Sequence, residues 1–187
     1  KPILGRPMLE MEIERVRACR TVDSVVVVTS TAPEDLPIVE LCDRLRVDSF
    51  RGDLENVLDR FYQAALKFRP EHIIRLTGDC PLIDAAVIDD MVKLYLAEGC
   101  DYATNCVPPT YPDGLDAEIF SFAVLERIRK QAYLPSHLEH VTLFVEENPK
   151  LFRIANLAYR EDLSALRWTV DEPADLELVR YIFEALY

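Results

Sequence analysis

No apolar run in this chain reaches the roughly 18 residues that a membrane-spanning helix needs, and no charged-then-apolar leader opens it. The expectation is a cytoplasmic globular protein with no membrane partner. Cysteine pairs are missing too. Cys19, Cys42, Cys80, Cys100 and Cys106 are odd in number, scattered and nowhere spaced C-x-x-C, which argues against a disulfide framework and against a zinc site. His72, His137 and His140 lack the H-E-x-x-H spacing, so a histidine-held metal is not expected. Basic charge is in deficit: 21 Lys and Arg against 33 Asp and Glu leave a net charge of -12, a surface that repels a polyanion. Nucleic acid is not an expected partner. A small anion such as a nucleotide is still open, because helix N-termini and one or two cations can hold phosphate locally. The sequence also has no internal repeat and no low-complexity tract.

What is present is an ordinary globular make-up. The 187 residues are 50% hydrophobic and 29% charged, enough chain for one domain, 1–187, with a real core. The apolar pattern changes period repeatedly, and each change marks an element boundary. Pro7–Arg20 carries Met8, Leu9, Ile13 and Val16 at helical spacing behind a first-turn proline. Ser24–Thr29, SVVVVT, is the continuous β-branched run of a strand covered on both faces. Further helices are predicted at Pro33–Leu45, Leu54–Phe68 and Ala85–Ala97, and further strands at Arg46–Phe50, His72–Leu76 and Asp101–Asn105. This alternation predicts an α/β fold with a mostly parallel sheet and helices on both faces. Such sheets bind ligands beyond the carboxyl ends of their strands.

The second half is less regular. Val107–Asp116, VPPTYPDGLD, has three prolines and a glycine, so it reads as a loop over the sheet edge, long enough to be a lid or an acceptor pocket. A strand at Ala117–Phe120 follows, then helices at Phe122–Gln131 and Ser136–Glu147, strands at Phe152–Leu157 and Leu166–Val170, and a closing helix to Tyr187. The opening KPILGRP is turn-like, whereas a fold of this class normally begins with a strand. A first strand upstream is therefore expected, a fold that begins on a helix being the alternative.

Two segments echo one another: RLTGDCP, Arg75–Pro81, and RWTVDEP, Arg167–Pro173. Each ends an extended stretch with an aspartate, one further residue, a proline and a new helix. Parallel-sheet geometry places Asp79 and Asp171 on the same carboxyl-end rim, where two carboxylates suit a hard divalent cation such as Mg²⁺. Taken singly, each motif reads more readily as a helix cap, the commoner use of such a pattern. Gly78 directly before Asp79 points to close backbone approach. Thr29-Ser30-Thr31, Arg51-Gly52-Asp53 and Arg60 lie at or near other strand ends. Ser30 reads as a hydroxyl for a base or ribose or as a turn before Pro33, and Arg60 as a nucleotide contact or a surface ion-pair partner.

Read in order, FRGDLENVLDRFYQA, RLTGDCPLID, PPTYPDGLDAEIFS, LEHVT and LRWTVDEPADLELV resemble the cytidylyltransferase family, and within it the spore-coat polysaccharide (SpsF-like) branch, over Pro2–Tyr187. The family is similar to the CMP-sugar synthetases for sialic acid and ketodeoxyoctonate. The resemblance implies a Rossmann-like fold of the nucleotide-diphospho-sugar transferase type, with a first strand and a glycine-rich loop upstream of this sequence; as given, the chain is expected to be incomplete for catalysis. It implies Mg²⁺ as cofactor, CTP and a sugar or sugar acid as substrates, release of pyrophosphate, and a homodimer in which Val107–Phe120 takes part. It makes Asp79 and Asp171 the catalytic, metal-binding carboxylates, and Ser30, Arg51, Gly52 and Arg60 nucleotide contacts. Asp116, Glu118, Glu139, His140 and Arg167 are then the residues that line or brace the sugar side. A metal-dependent glycosyltransferase and a non-catalytic nucleotide-binding module are the alternatives.

Overall fold

The computed structural model describes residues 1–186. Strands and helices follow in chain order. A hairpin of β1 (Pro2–Ile3) and β2 (Arg6–Pro7) leads into α1 (Met8–Val16), and β3 (Val26–Ser30), α2 (Leu36–Leu45), β4 (Asp48–Gly52) and α3 (Val57–Phe68) follow. Next come β5 (His72–Arg75), α4 (Ala85–Glu98), β6 (Tyr102–Thr104), β7 (Glu118–Ser121) and α5 (Phe122–Gln131). The chain closes with α6 (Pro135–Glu139), α7 (Leu143–Glu147), β8 (Ile154–Asn156) and α8 (Pro173–Leu186). The expected end of the last helix at Tyr187 lies outside the described residues.

The sheet comes in two parts besides the small hairpin. β3 and β4 pair in parallel, Val26 opposite Asp48 through Ser30 opposite Gly52. A four-stranded part has the order β5-β7-β6-β8, in which β7 runs against β5 and β6, while β6 and β8 run together. β7 is thus the one reversed strand of that part, and the sheet is mostly parallel as expected. Successive residues point to opposite faces, and the packing follows that alternation. Tyr102 and Phe120 pack on one face with Leu58 of α3, Leu125 and Ile128 of α5 and Val145 of α7. Ala103 and Ile119 pack on the other with Met91, Val92 and Tyr95 of α4. Helices therefore cover both faces. Met11 of α1 anchors a further cluster with Ile3, Val170, Val179 and Phe183, and burial of a side chain such as Phe183 stabilises by about 2 kcal/mol.

Between the two parts lies a cavity of about 1030 Å³. Val26, Val27 and Val28 of β3, His72 and Ile74 of β5, and Leu9, Ile13 and Val16 of α1 all line it. Among the described residues, β3 pairs only with β4 and β5 only with β7.

Most predicted elements are present, and the departures have local causes. α1 stops at Val16 because the Asp89 carboxylate accepts from the backbone N–H of Arg20 and Thr21 and from the Thr21 hydroxyl, drawing the chain onto α4. α3 starts at Val57 because Asp53 accepts from the N–H of Glu55 and Asn56, and Asn56 then caps the helix by accepting from Asp59 N–H. The single helix expected over Ser136–Glu147 is two, α6 and α7, broken at His140, which is extended (φ -104, ψ 96). Leu166–Val170 is not a strand. Its residue Arg167 forms one isolated bridge with Asp113, and the pairing is to the proline-rich loop: Asp113 N–H donates to Leu166 C=O (3.0 Å) and Trp168 N–H to Asp113 C=O (2.6 Å).

Gly114 makes that pairing feasible. Its φ is +105°, and a Cβ built on it would lie 2.6 Å from Thr169 N and 2.7 Å from Trp168 C. Both the backbone conformation and the close approach require glycine. Gly114→Ala is expected to lower the unfolding free energy by more than about 1 kcal/mol, read as a drop in urea midpoint at constant m-value. An unchanged midpoint would show that the loop does not need this contact.

Candidate functional site

The carboxyl end of β5 is the natural starting point. Arg75, Leu76 and Thr77 line the large cavity and also a second, smaller one of about 260 Å³, and His140 lines both. The smaller cavity is completed by Cys106, Asp116, Glu118, Thr142, Leu143 and Glu146. The two cavities therefore share one wall.

Glu118, the first residue of β7, is the best-connected group of the small cavity. It is buried, with 6% exposure. Arg75 Nη1 donates to its Oε2, while the hydroxyls of Tyr102 and Thr142 donate to its Oε1 at 2.5 Å each. A buried carboxylate needs this degree of pairing. The Thr142 bond also explains the split between α6 and α7, since that hydroxyl is committed to a sheet residue. Asp116 and Glu146 are less well matched. Burial raises the pKa of both, and neighbouring negative charge adds to it, from Asp113 and Glu118 at Asp116 and from Glu118 and Glu147 at Glu146.

Asp79 and Asp171 come to one rim. Val170 N–H donates to the Asp79 carbonyl (2.9 Å), which ties the two D-x-P segments together one residue before Asp171. Neither carboxylate is used as a helix cap. α4 is capped by Asp84, which accepts from Ala86 N–H at 2.7 Å. At the start of α8 it is Asp175 that accepts from the N–H of Asp171 and Glu172, and hydrogen bonds from Arg167 and from these amides hold its pKa down at about 2. The Asp171 carboxylate is paired with Arg167 at 2.5 Å, and Asp79 accepts from the Cys80 thiol at 3.3 Å. Lys1 Nζ reaches the same place, donating to the Asp171 carbonyl at 3.3 Å.

The other residues singled out from sequence are distributed more unevenly. Ser30 is buried, with 1% exposure, and its hydroxyl donates to Asp35 at 2.5 Å, so the turn reading of Ser30 describes its geometry. Arg51 donates to the carbonyls of Ser30 and Ala32, at 2.9 Å each, and locks the end of β4 to that turn. Gly52 admits Arg60, whose Cγ would be 2.7 Å from a Cβ there. Arg60 lines the large cavity with a buried Nε that has no hydrogen-bond partner, and burial lowers its pKa. Glu139 lines the same cavity. Arg167 stands outside both cavities and braces the rim, bridging Asp113 (3.5 Å), Asp171 and Asp175 (3.2 Å). The proline-rich loop is no free lid: Asn105 Nδ2 donates to Leu115 C=O, Leu163 N–H to Thr110 C=O, and Asn156 Nδ2 to Pro108 C=O beside the edge strand β8.

Arg75, Thr142, Glu146 and Glu12 also line these cavities, and the sequence pattern does not single them out. The signal for Arg75 is an arginine inside the otherwise apolar strand His72–Leu76. Glu12 lies within α1. It is 5% exposed, lines the large cavity, and one carboxylate oxygen has no partner.

Site and fold together define an α/β protein whose cavities meet at the carboxyl end of a sheet strand, beside two aspartates that cap no helix. Comparison with known proteins gives the family. The cytidylyltransferase family model matches residues 1–182, and the chain belongs to that family. The uncharacterized protein MJ1063 of Methanocaldococcus jannaschii is 38% identical over 92% of this chain and 71% of its own length. The spore coat polysaccharide biosynthesis protein SpsF of Bacillus subtilis is 31% identical over 98% of this chain and 78% of its own. A cytidylyltransferase structure from Leptospira borgpetersenii superimposes with a TM-score of 0.96 at 32% identity, covering all of this chain and 79% of that one. Nucleotidyl transfer is the class of chemistry of the family.

Glu12 provides a pH test of the site's electrostatics. Burial, and secondarily the charge of Asp79, raise its pKa from 4.5 to about 8. The folded state then holds a proton that the unfolded state has released, so stability conferred by neutral Glu12 is complete below about pH 4.5 and declines up to about pH 8. Relative to Glu12→Gln, the wild type is expected to lose unfolding free energy across that window. A difference independent of pH would refute it.

Proposed function

We propose that the chain activates a sugar with CTP. The sugar hydroxyl oxygen bonds to the α-phosphorus, the bond from that phosphorus to pyrophosphate breaks, and the hydroxyl proton leaves. The observation that carries this reading is that Asp79 and Asp171 sit on one hydrogen-bonded rim while Asp84 and Asp175 perform the capping. Family membership supplies the nucleotide, and the polysaccharide role of the SpsF relative supports a sugar as acceptor.

The donor set fits Mg²⁺. Among the described residues no group of three or more His, Cys, Asp or Glu is placed to hold a metal, and Mg²⁺ needs only one or two carboxylates when water and substrate phosphates complete its shell. Asp79 and Asp171 would hold it, and Arg167, the present partner of Asp171, would keep that carboxylate oriented. Bound there, the ion would offset charge that develops on the phosphate oxygens. The large cavity, with Arg60 at its wall, would take the nucleotide side and the small cavity the sugar. In the homodimer that the resemblance implies, the exposed Val107 end of the loop is available to a second copy, whereas Ile119 and Phe120 are interior. Family likeness to the ketodeoxyoctonate synthetases makes a sugar acid one acceptor class.

The test is pyrophosphate release by the full chain with CTP, Mg²⁺ and a panel of sugars. Asp79→Asn is expected to reduce kcat by roughly 100-fold or more, the scale seen when a preorganised transition-state contact is removed. Retention of full activity in that variant, with Mg²⁺ still required, would overturn the assignment.

A further inference from the structure

Four residues belong to both cavities: Arg75, Leu76, Thr77 and His140. Arg75 is paired with Glu118, and a guanidinium has no acceptor for a proton. Leu76 is apolar, and the Thr77 hydroxyl, a weak base, lies 3.4 Å from the Cys80 thiol. Only His140 brings a basic nitrogen to the shared boundary. Its backbone is held on both sides, the N–H donating to Ser136 C=O at 2.8 Å and the C=O accepting from Leu143 N–H at 3.1 Å, while Thr142 beyond it is tied to Glu118. The ring is exposed, and among the described residues neither of its nitrogens has a hydrogen-bond or ion-pair partner. The other two histidines differ. His137 is buried with Nε2 2.8 Å from Glu147, and of the two cavities His72 lines the large one alone.

We infer that His140 is the general base of the transfer. One ring nitrogen takes the proton of the sugar hydroxyl as that oxygen bonds to the α-phosphorus and the bond from phosphorus to pyrophosphate breaks, and the exposed ring then passes the proton to solvent. This inference rests on the reading that places the nucleotide in the large cavity and the sugar in the small one. On that reading the attacking oxygen lies at the shared boundary, and a base must stand within about 2.6–3.2 Å of it or act through one water. The carboxylates of the small cavity, Asp116, Glu118 and Glu146, do not line the large one, and Glu118 is already closed by three donors. Asp79 and Asp171 are given to the metal on the same reading. His140 has no protein hydrogen bond to break and a backbone already fixed, so its ring accepts without prior rearrangement.

The test reads pyrophosphate release by the full chain with CTP, Mg²⁺ and, as acceptor probes, ketodeoxyoctonate, N-acetylneuraminate, glucose, mannose and N-acetylglucosamine. His140→Gln and His140→Ala are expected to lower kcat by about 100-fold or more while KM for CTP changes by less than about threefold, and to remove the acid limb of the kcat/KM pH profile. Added imidazole should restore His140→Ala by at least about tenfold. Other titratable or charged groups line the same walls, Arg75, Asp116, Glu118 and Glu146 on the small side and Glu12, Arg60, His72 and Glu139 on the large. All stay in place in both variants, so a limb that vanishes belongs to the His140 ring. A kcat within about threefold of wild type overturns the inference. So does a lowered kcat that keeps its acid limb and is not restored by imidazole, the mark of a merely structural role. Where no probe turns over, the His140 ring signals in the ¹H–¹⁵N spectrum of the Mg²⁺–CTP complex decide: a shift on adding a probe upholds the inference, and none with any probe overturns it. Absence of Mg²⁺-dependent CTP binding is a separate result, and it defeats the transferase reading instead.

Discussion

One carboxylate holds the site half of this molecule together. Glu118 begins β7, the reversed strand in the middle of the four-stranded sheet, and it gathers Arg75 from β5, Tyr102 from β6 and Thr142 from the start of α7. Each donor comes from a different element, so the register of three strands and the position of one helix are fixed by a single group. A buried charge is costly to leave half-satisfied, and removing any one donor exposes the rest to that cost. Tyr102 shows the reciprocal effect, its pKa driven far upward by burial and by the adjacent Glu118. The hydroxyl stays a donor at every accessible pH.

A second constraint acts through caps. Helix N-termini need acceptors, and an aspartate near such a start is usually spent there. In this chain the residues five and four positions further on take that task, Asp84 at α4 and Asp175 at α8. Redundancy of acidic residues at the start of both helices is what leaves Asp79 and Asp171 open to other chemistry. Asp35, Asp53, Asp89 and Asp162 are likewise acceptors for backbone N–H groups.

The alternation of helix and strand was legible because each period is set by burial, and burial here follows the simple two-face rule at Tyr102, Ala103, Ile119 and Phe120. Strand and helix limits were less legible where a side chain from elsewhere intervenes. Asp89 ends α1 from sixty-odd residues away, and Glu118 interrupts the α6 to α7 helix through Thr142. No local pattern announces either contact. Leu166–Val170 had the composition of a strand but pairs with the Gly114 loop, because the backbone contact that Gly114 permits supplies its partner. For the site, the paired aspartates and the acidic loop could be read directly, since charged residues at strand ends are conspicuous. Arg75, Glu146 and Glu12 could not, because their importance lies in what surrounds them: a closed ion pair, an unmatched carboxylate and an unpartnered oxygen.

The position of Arg75 explains why the carboxyl end of β5 is the focus among several strand ends. Residues 75–77 form a wall common to both cavities, and His140 faces the same boundary from the turn between α6 and α7. On the proposed reading each cavity takes one substrate, and holding both at this shared boundary lowers the entropic cost of bringing their reacting atoms together. Thr77 lies two residues from Asp79, so the boundary also adjoins the aspartate rim. The Arg75–Glu118 pair fixes that boundary from below. The same ion pair that secures the core thus stands at the boundary of the two cavities.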